Sequence, residues 1–469
     1  MTATGGEGDL LQRLLSRRAV LCPACGAPLV GGEASVRCAG CGASFPVRHG
    51  VVDLFNGYRQ AGPGAPAPGA EVLTALARAL ALEPTPRTLE LLGDIWRGTG
   101  RRATQGHLTA EIADVLDRFG ISPSQPPAPA PVQNDGPLEI QARCERHYCE
   151  AALPPGRTLF RGVRVRNDGD ETWSPRGAHG TGLGYRWLYA SGGHAPGAGR
   201  ITRFPIPVEP GRALTVPVEL QTPSRPGDYV LRVLVEQQSL RRNLAPFAFL
   251  GQAIADIPVR IGEVAPPADL ARFEITPQVY PYAEDHARAR AMLQDRVARA
   301  GPTPGPLLEI GGGTHPQGRG LGCDLVNVDI SAVQLELGMI EHGGQLRGEL
   351  LYACADAMHL PFADGAFSGA CLFAALHHFA EPDALLAALR RKIHPAGFVA
   401  VLCEPIGTSL EHEAAVRDLL KGINEQTFTL EEWCQIFRRA GFAVERGTVE
   451  GGSLKAFLAP IRSDMRQPL

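Results

Sequence analysis

A short, mostly apolar stretch that runs straight into three glycines constrains this chain more than any other feature: Leu307-Leu308-Glu309-Ile310-Gly311-Gly312-Gly313-Thr314. A strand ending in glycine lets backbone approach whatever lies at its carboxyl end, because no Cβ stands in the way. The pattern around it then alternates. Strands are expected at 307–310, 325–330, 351–355, 370–374 and 398–404, and helices at 383–393, 410–421 and 430–440. The apolar runs 443–448 and 454–458 suit a closing hairpin. Strands separated by helices predict a doubly wound α/β, Rossmann-like sheet.

Dinucleotides also use glycine turns of this kind, so the flanking residues decide. Pro316 stands where a dinucleotide fingerprint would place its next glycine, and Thr314-His315-Pro316 is a poor helix start for a pyrophosphate. Glu309, just before the turn, would repel pyrophosphate. Its carboxylate suits the positively charged methionyl end of a sulfonium cofactor, directly or through water. Asp329 ends the next strand, in VNVDIS, where it can accept both ribose hydroxyls. NAD would use it equally well, and a cap on the following helix is the bland reading. In Cys354-Ala355-Asp356-Ala357, Asp356 can accept from an adenine amine or simply shape a turn.

These pieces arrive in a recognisable order: LEIGGG, VDIS, then DAMHLPFADGAF, then a strand ending in Leu376-His377-His378. The order resembles the class I methyltransferases of the type-11 family, and HPAGFVAVLCEP and FTLEEWCQIFRRAGF fit as fifth strand and late helix. The resemblance implies a domain over 280–460 that binds S-adenosyl-L-methionine through Glu309, Gly311, Gly313, Asp329, Asp356 and Ala357. Methyl transfer needs a base only where the acceptor must lose a proton, and His377 and His378 are the candidates. Two positions depart from the pattern. Gly312 replaces the common Cys, Ser or Thr, and Ser368-Gly369 replaces an aspartate after Phe367.

The amino-terminal part carries different chemistry. Cys22-Pro-Ala-Cys25-Gly and Cys38-Ala-Gly-Cys41-Gly are two C-x-x-C knuckles, and four thiolates so spaced suit a closed tetrahedral structural zinc site. The text from Ala19 to Leu54, ending FPVRHGVVDL, resembles Trm112-like zinc ribbons. A ribbon is expected at 19–57, with a structural or partner-binding role. A helical unit follows at 71–121, bounded by proline- and alanine-rich linkers. From 138 to 262 the apolar residues alternate with period two, as in Leu214, Val216, Val218 and Leu220, with Pro-Gly turns between. VRVRNDGDETW and PGDYVLRVLV resemble immunoglobulin-like β-sandwich modules found beside bacterial glycan-handling enzymes.

A net charge of −3 supplies no basic field for nucleic acid. No run of about 18 apolar residues suggests a membrane span. Without a recognisable signal peptide, the eleven cysteines are expected reduced and the compartment cytoplasmic. The expected acceptor is a small molecule or a surface-glycan precursor, with a possible protein partner for the ribbon or the sandwich. A tRNA or protein methyltransferase helped by its own ribbon, or a non-catalytic scaffold, are the alternatives.

Overall fold

The computed structural model describes residues 10–55 and 134–461, apart from 33, 135, 137, 178, 196–200, 239–248, 301–304, 343–348 and 421, together with the isolated residues 73 and 89. Save for those two, the helical unit expected at 71–121 lies outside the described residues. The described chain forms two compact units. One takes its residues from 1–124, 271–404 and 436–469, the other from 125–270 and 405–435.

The first unit begins with α1 (Leu10–Ser16), which buries Leu10, Leu11, Leu14 and Leu15 at helical spacing. Four short strands follow: β1 (Leu29–Gly31), β2 (Ser35–Cys38), β3 (Ser44–Arg48) and β4 (Val51–Asp53). β3 and β4 pair antiparallel across His49-Gly50. Both of those residues hold positive φ, 48° and 83°, as a tight two-residue hairpin requires.

The second unit is built on two sheets. β5 (Ala142–His147), β7 (Thr158–Asn167) and β10 (Ala213–Gln221) form one, in the order β10-β7-β5. The other contains β6 (Ala152–Leu153), β8 (Thr181–Tyr189), β9 (Thr202–Arg203), β11 (Gly227–Gln238) and β12 (Phe249–Ile261), in the order β6-β12-β11-β8-β9. Val165 and Val216 from the first sheet share a buried cluster with Trp187, Leu231 and Val259 from the second. The period-two alternation does this directly, by placing every second side chain on the inner face.

Back in the first unit, β13 (Phe273–Thr276) and the helix α2 (Tyr282–Arg299) precede the parallel strands. These are β14 (Leu307–Ile310), β15 (Leu325–Asp329), β16 (Leu350–Cys354), β17 (Phe367–Phe373) and β18 (Ile393–Pro405), with α3 (Ala332–His342) and α4 (Pro382–Lys392) between them. The strands fall where the sequence pattern puts them, within a few residues. α2 and α3 were not among the expected helices. The chain closes with α5 (Glu413–Leu420), α6 (Leu430–Arg439) and the antiparallel pair β19 (Phe442–Glu450) and β20 (Ser453–Pro460).

The sheet order is β1-β2-β3-β4-β16-β15-β14-β17-β18-β20-β19-β13. Its middle is the doubly wound arrangement, with the chain reversing direction across the sheet between β14 and β17. The unexpected part is its edge. β4 pairs parallel with β16, Val51 to Tyr352 through Asp53 to Cys354, so the cysteine-bearing segment continues the sheet. Val20 and Phe362 bridge as well, and Leu21 N donates to Pro361 O at 2.9 Å. An edge strand offers unpaired backbone groups, and here residues from the amino terminus satisfy them.

Residues 405–435 lie inside the segment expected as one 280–460 domain, yet they cluster with the two-sheet unit. Leu419 of α5 is fully buried in that unit's core. Tyr148 meets Phe428 edge-on at 4.8 Å, and Phe428 meets Trp433 at 5.0 Å. Thr429-x-x-Glu432 is a capping box. Thr429 N donates to Glu432 Oε2 at 2.9 Å and Glu432 N to Thr429 Oγ1 at 3.2 Å, while Oε1 accepts from Gly162 N at 2.9 Å. Leu419→Ala leaves a cavity in the two-sheet core. It is expected to cost about 2–5 kcal/mol, seen as a lower midpoint of that unit's transition in denaturant; an unchanged midpoint would contradict the packing described.

Candidate functional site

The site is built at the carboxyl ends of β14, β15, β17 and β18, which the parallel pairing brings to one edge of the sheet. Gly311 and Gly313 hold φ of 74° and 49°, a region that side-chain-bearing residues enter at a cost. A Cβ on Gly311 would sit 3.0 Å from Ala375 Cβ, so the glycine turn and the end of β17 lie against each other. Gly312 has its own reason. A Cβ there would collide with the Asn327 amide oxygen, and Asn327 Nδ2 donates to Gly313 O at 2.9 Å. The departure at 312 therefore follows from the asparagine beneath it.

No helix starts at this turn. Residues 311–324 form an irregular connection held from several sides. Glu309 is buried. Its Oε1 accepts from Gln317 N at 2.8 Å and its Oε2 from Gly318 N at 2.7 Å. Burial pushes its carboxyl up to about 7, against the pull of those two amides. Arg290 of α2 donates to Gln317 O at 3.1 Å and Arg319 O at 2.8 Å, and Thr314 Oγ1 bonds to Gln334 of α3. Glu309 thus shapes the loop, with both oxygens already taken by backbone.

Asp329, at the end of β15, is half-buried. Its Oδ2 accepts from Gly313 N at 3.1 Å and its Oδ1 from Ser331 N at 2.8 Å. Burial raises its carboxyl, with those amides opposing. One residue therefore ties the glycine turn to the turn leading into α3. Asp356 caps a short 3-10 turn, accepting from Met358 N at 2.9 Å, and pairs with His359 at 2.7 Å; Ala357 begins that turn and is buried.

His377 and His378 sit in a second 3-10 turn after β17, their rings 4.0 Å apart. His377 is buried and its Nδ1 lies 2.7 Å from Glu404 Oε2, at the end of β18. The same carboxylate accepts from the backbone of Ala375, Leu376 and His377 at 3.0, 2.8 and 3.0 Å. Burial pushes Glu404 up, but the His377 ring and the amides outweigh it and hold its carboxyl below the usual range. A carboxylate on Nδ1 leaves Nε2 as the basic nitrogen. Ala374, just past β17, and Cys403, near the end of β18, both hold positive φ, 44° and 59°, a strain typical of functional loops. The pairing of Glu404 with His377 depends on the register of β17 against β18.

Helix α2 completes this edge. Asp285 is bound by the fully buried Lys455 at 2.6 Å and by Ser453 at 2.7 Å. That anchors the first turn of α2, where the exposed Tyr282 lies over His286, 4.0 Å between rings, and His286 faces Phe373 at 6.2 Å.

The four cysteines of the knuckles also converge. Cys22 and Cys41 sulfurs lie 3.7 Å apart and Cys25 and Cys38 sulfurs 3.3 Å apart, with all four within 4.8 Å. These separations are far above a disulfide bond. They approach the roughly 3.8 Å edge of a tetrahedron with about 2.3 Å zinc–sulfur bonds. Gly40 N and Cys41 N donate to Cys38 sulfur at 3.2 and 3.3 Å, and the Cys41 amide leads the effects that lower this thiol to about 6. Gly26 and Gly42, after each knuckle, hold φ of 74° and 73°.

Comparison with known proteins gives the same region. Residues 308–401 match the family described as a methyltransferase domain. A demethylmenaquinone methyltransferase of Beutenbergia cavernae is 29% identical over 130 residues, covering 28% of this chain and 52% of that protein. A malonyl-[acyl-carrier protein] O-methyltransferase of Geobacter sulfurreducens is 28% identical over 171 residues, covering 34% and 64%. The chain thus spans roughly half to two thirds of these relatives' length. Among solved structures, a complex of the Haloferax volcanii Trm112 methyltransferase activator with its methyltransferase matches at 16% identity and a TM-score of 0.32, covering 39% of this chain and 96% of that one. The methyltransferase CalH bound to SAH matches at 19% and 0.31, covering 38% and 58%. Residues 308–401 thus match a methyltransferase domain, and these relatives are methyltransferases. No helix among the described residues is long and apolar enough to cross a membrane.

The Glu404 carboxyl carries a pH signature. Its folded pKa lies below the ordinary 4.5, so the unfolded chain binds the proton more readily. The stability it contributes is complete above about pH 4.5 and is lost as pH falls through the folded value. Glu404→Gln is expected to flatten the acid limb of stability against pH, measured by denaturant unfolding at stepped pH. An acid limb identical to the native chain's would contradict the pairing with His377.

Proposed function

We propose that this protein transfers a methyl group from S-adenosyl-L-methionine to a hydroxyl of a small molecule or surface-glycan precursor, and that His377 is the base. The observation that carries the reading is the His377–Glu404 pair, set at the same sheet edge as the glycine turn and Asp329. A hydroxyl acceptor must shed its proton as the methyl arrives, and an imidazole held by a buried carboxylate can take it. The relatives include a malonyl-[acyl-carrier protein] O-methyltransferase, which agrees with an oxygen acceptor without naming one for this chain.

The residues fit the cofactor. Gly311 and Gly313 leave backbone open to close approach, and Asp329 offers a half-buried carboxylate at a strand end for two ribose hydroxyls. Asp356 and Ala357 would border the adenine. Bound S-adenosyl-L-methionine supplies an activated methyl on a sulfonium whose departing thioether is neutral. The chain supplies alignment and a destination for the acceptor proton at His377 Nε2, with Glu404 holding the ring and stabilising the imidazolium. His378 packs on that ring. Glu309 acts at one remove, by holding the loop. The exposed Tyr282 suits a platform for a flat or sugar-like acceptor.

Residues 19–57 would form a Trm112-like ribbon holding one zinc ion through Cys22, Cys25, Cys38 and Cys41. With four protein ligands it is structural. Its strand β4 already serves as the outer neighbour of β16, which favours a built-in support for the cofactor sheet over a site for a separate partner. The two-sheet unit would be an immunoglobulin-like module that recruits the acceptor.

Calorimetry with S-adenosyl-L-methionine tests the site. Asp329→Ala is expected to weaken binding by about tenfold or more. His377→Ala is expected to leave binding intact and slow tritiated-methyl transfer into fractionated cell extract by roughly 10²–10⁴-fold. Undiminished transfer by His377→Ala would overturn the base assignment. Cys25→Ser with Cys38→Ser is expected to abolish the zinc retained through gel filtration and lower the thermal midpoint; retained zinc would refute the four-cysteine site.

A further inference from the structure

The loop that leaves the glycine turn carries His315, and α3 ends in Glu341 and His342. The three side chains meet. His315 Nδ1 lies 3.2 Å from His342 Nε2, and Glu341 Oε1 lies 3.4 Å from each of those nitrogens. The geometry points to a second metal site here, for a divalent transition ion such as zinc, separate from the four cysteines.

The triangle is the argument. An ion bound at about 2.0–2.1 Å by three ligands at tetrahedral or octahedral angles sets those ligands about 2.9–3.4 Å apart. All three observed edges, 3.2, 3.4 and 3.4 Å, fall within that range. Three atoms bearing lone pairs converge on one point. Hydrogen bonding alone would need a proton on each edge to hold such a ring closed. Two imidazoles and a carboxylate select a borderline transition ion over magnesium or calcium, which prefer oxygen. An ion can also reach the place, since the side chains are 56%, 34% and 10% exposed for His315, Glu341 and His342. The open face leaves positions for water.

Asp285, His286 and Cys403 also bring ligand atoms within 4.8 Å of one another, but their chemistry does not suit an ion. Lys455 and Ser453 already occupy both Asp285 oxygens, and burial pushes the Cys403 thiol far above its usual range, keeping it protonated. An ammonium beside the carboxylate would repel a cation. At the proposed site no ammonium or guanidinium bonds to Glu341 among the described residues; Arg319 acts on His342 through space, with its guanidinium donating to Pro316 O.

The site has a mechanical consequence. His315 follows Thr314, whose hydroxyl already bonds to Gln334 of α3. An ion shared by His315, Glu341 and His342 would fasten the glycine-rich loop to the far end of the same helix. The metal site stands whether or not that loop binds a sulfonium cofactor, because it is tested with metal alone.

The test uses the full-length protein and zinc ion. After equilibrium dialysis, bound zinc is counted by elemental analysis for the native chain, His315→Ala, His342→Ala and Glu341→Gln. The expected result is one equivalent fewer in each histidine variant. The affinity of the remaining sites should be unchanged, and Glu341→Gln should weaken the second equivalent at least as much as the roughly 10–100-fold that loss of an outer-shell partner costs. His315 is the most exposed of the three, so its variant reports binding rather than folding. Cobalt in place of zinc gives an independent readout, in which the equivalent lost with His315 carries no thiolate-to-metal charge-transfer band. Equal zinc stoichiometry and affinity in the native chain and in His315→Ala would overturn the proposal, as would a lost cobalt equivalent that shows the thiolate band.

Discussion

The buried carboxylate of Glu309 is the interaction on which the site rests. It sits at the end of a strand with its neighbours Leu308 and Ile310 in the core, and Arg319 and Arg290 act on it only through space. Two backbone amides, from Gln317 and Gly318, bond to it directly. An irregular connection of this length between parallel strands, with no helix of its own, would otherwise have little to hold it. Because the carboxylate draws the chain back over the end of β14, the glycines face outward at the sheet edge, within reach of Asp329 on one side and the turn after β17 on the other. Burial costs the carboxylate, as its raised pKa records; the return is a preorganised loop.

That edge carries two carboxylates with opposite electrostatic settings. Glu309 is raised by burial, which outweighs two backbone amides and the more distant Arg319 and Arg290 charges. Glu404, equally buried, is lowered because an imidazole adds to the amides. The difference separates an architectural group from one able to hold a proton acceptor in place. Positive φ at Ala374 and Cys403 belongs to the same picture, since both residues lie where the chain delivers the histidine and its carboxylate.

Much of the central sheet was legible in the sequence. An apolar run such as 398–402 is buried on both faces of a parallel sheet, so it reads as a continuous hydrophobic segment, here preceded by a glycine. The four cysteines were legible for a similar reason, as their spacing is local. Helix α2 was not expected. Its buried positions are few, Asp285, Ala289 and Leu293, and one of them is an acid whose partner, Lys455, lies 170 residues away. The pairing of β4 with β16 was equally hidden, because backbone hydrogen bonds across an edge leave no trace in side-chain pattern. The placement of 405–435 with the two-sheet unit follows from Leu419, Phe428 and Glu432, through partners distant in sequence such as Tyr148 and Gly162. Only the Thr429-to-Glu432 capping box was there to be read locally.

The central claim is that the carboxyl ends of β14, β15 and β17 form a single cofactor site. A crystal structure of the full chain soaked with S-adenosylhomocysteine tests it most directly. The account predicts the ribose hydroxyls on Asp329, the amino acid portion along Gly311–Gly313, and the sulfur facing the His377 turn. Ligand bound elsewhere, or bound at this edge with Asp329 still engaged only by Gly313 and Ser331, would contradict it.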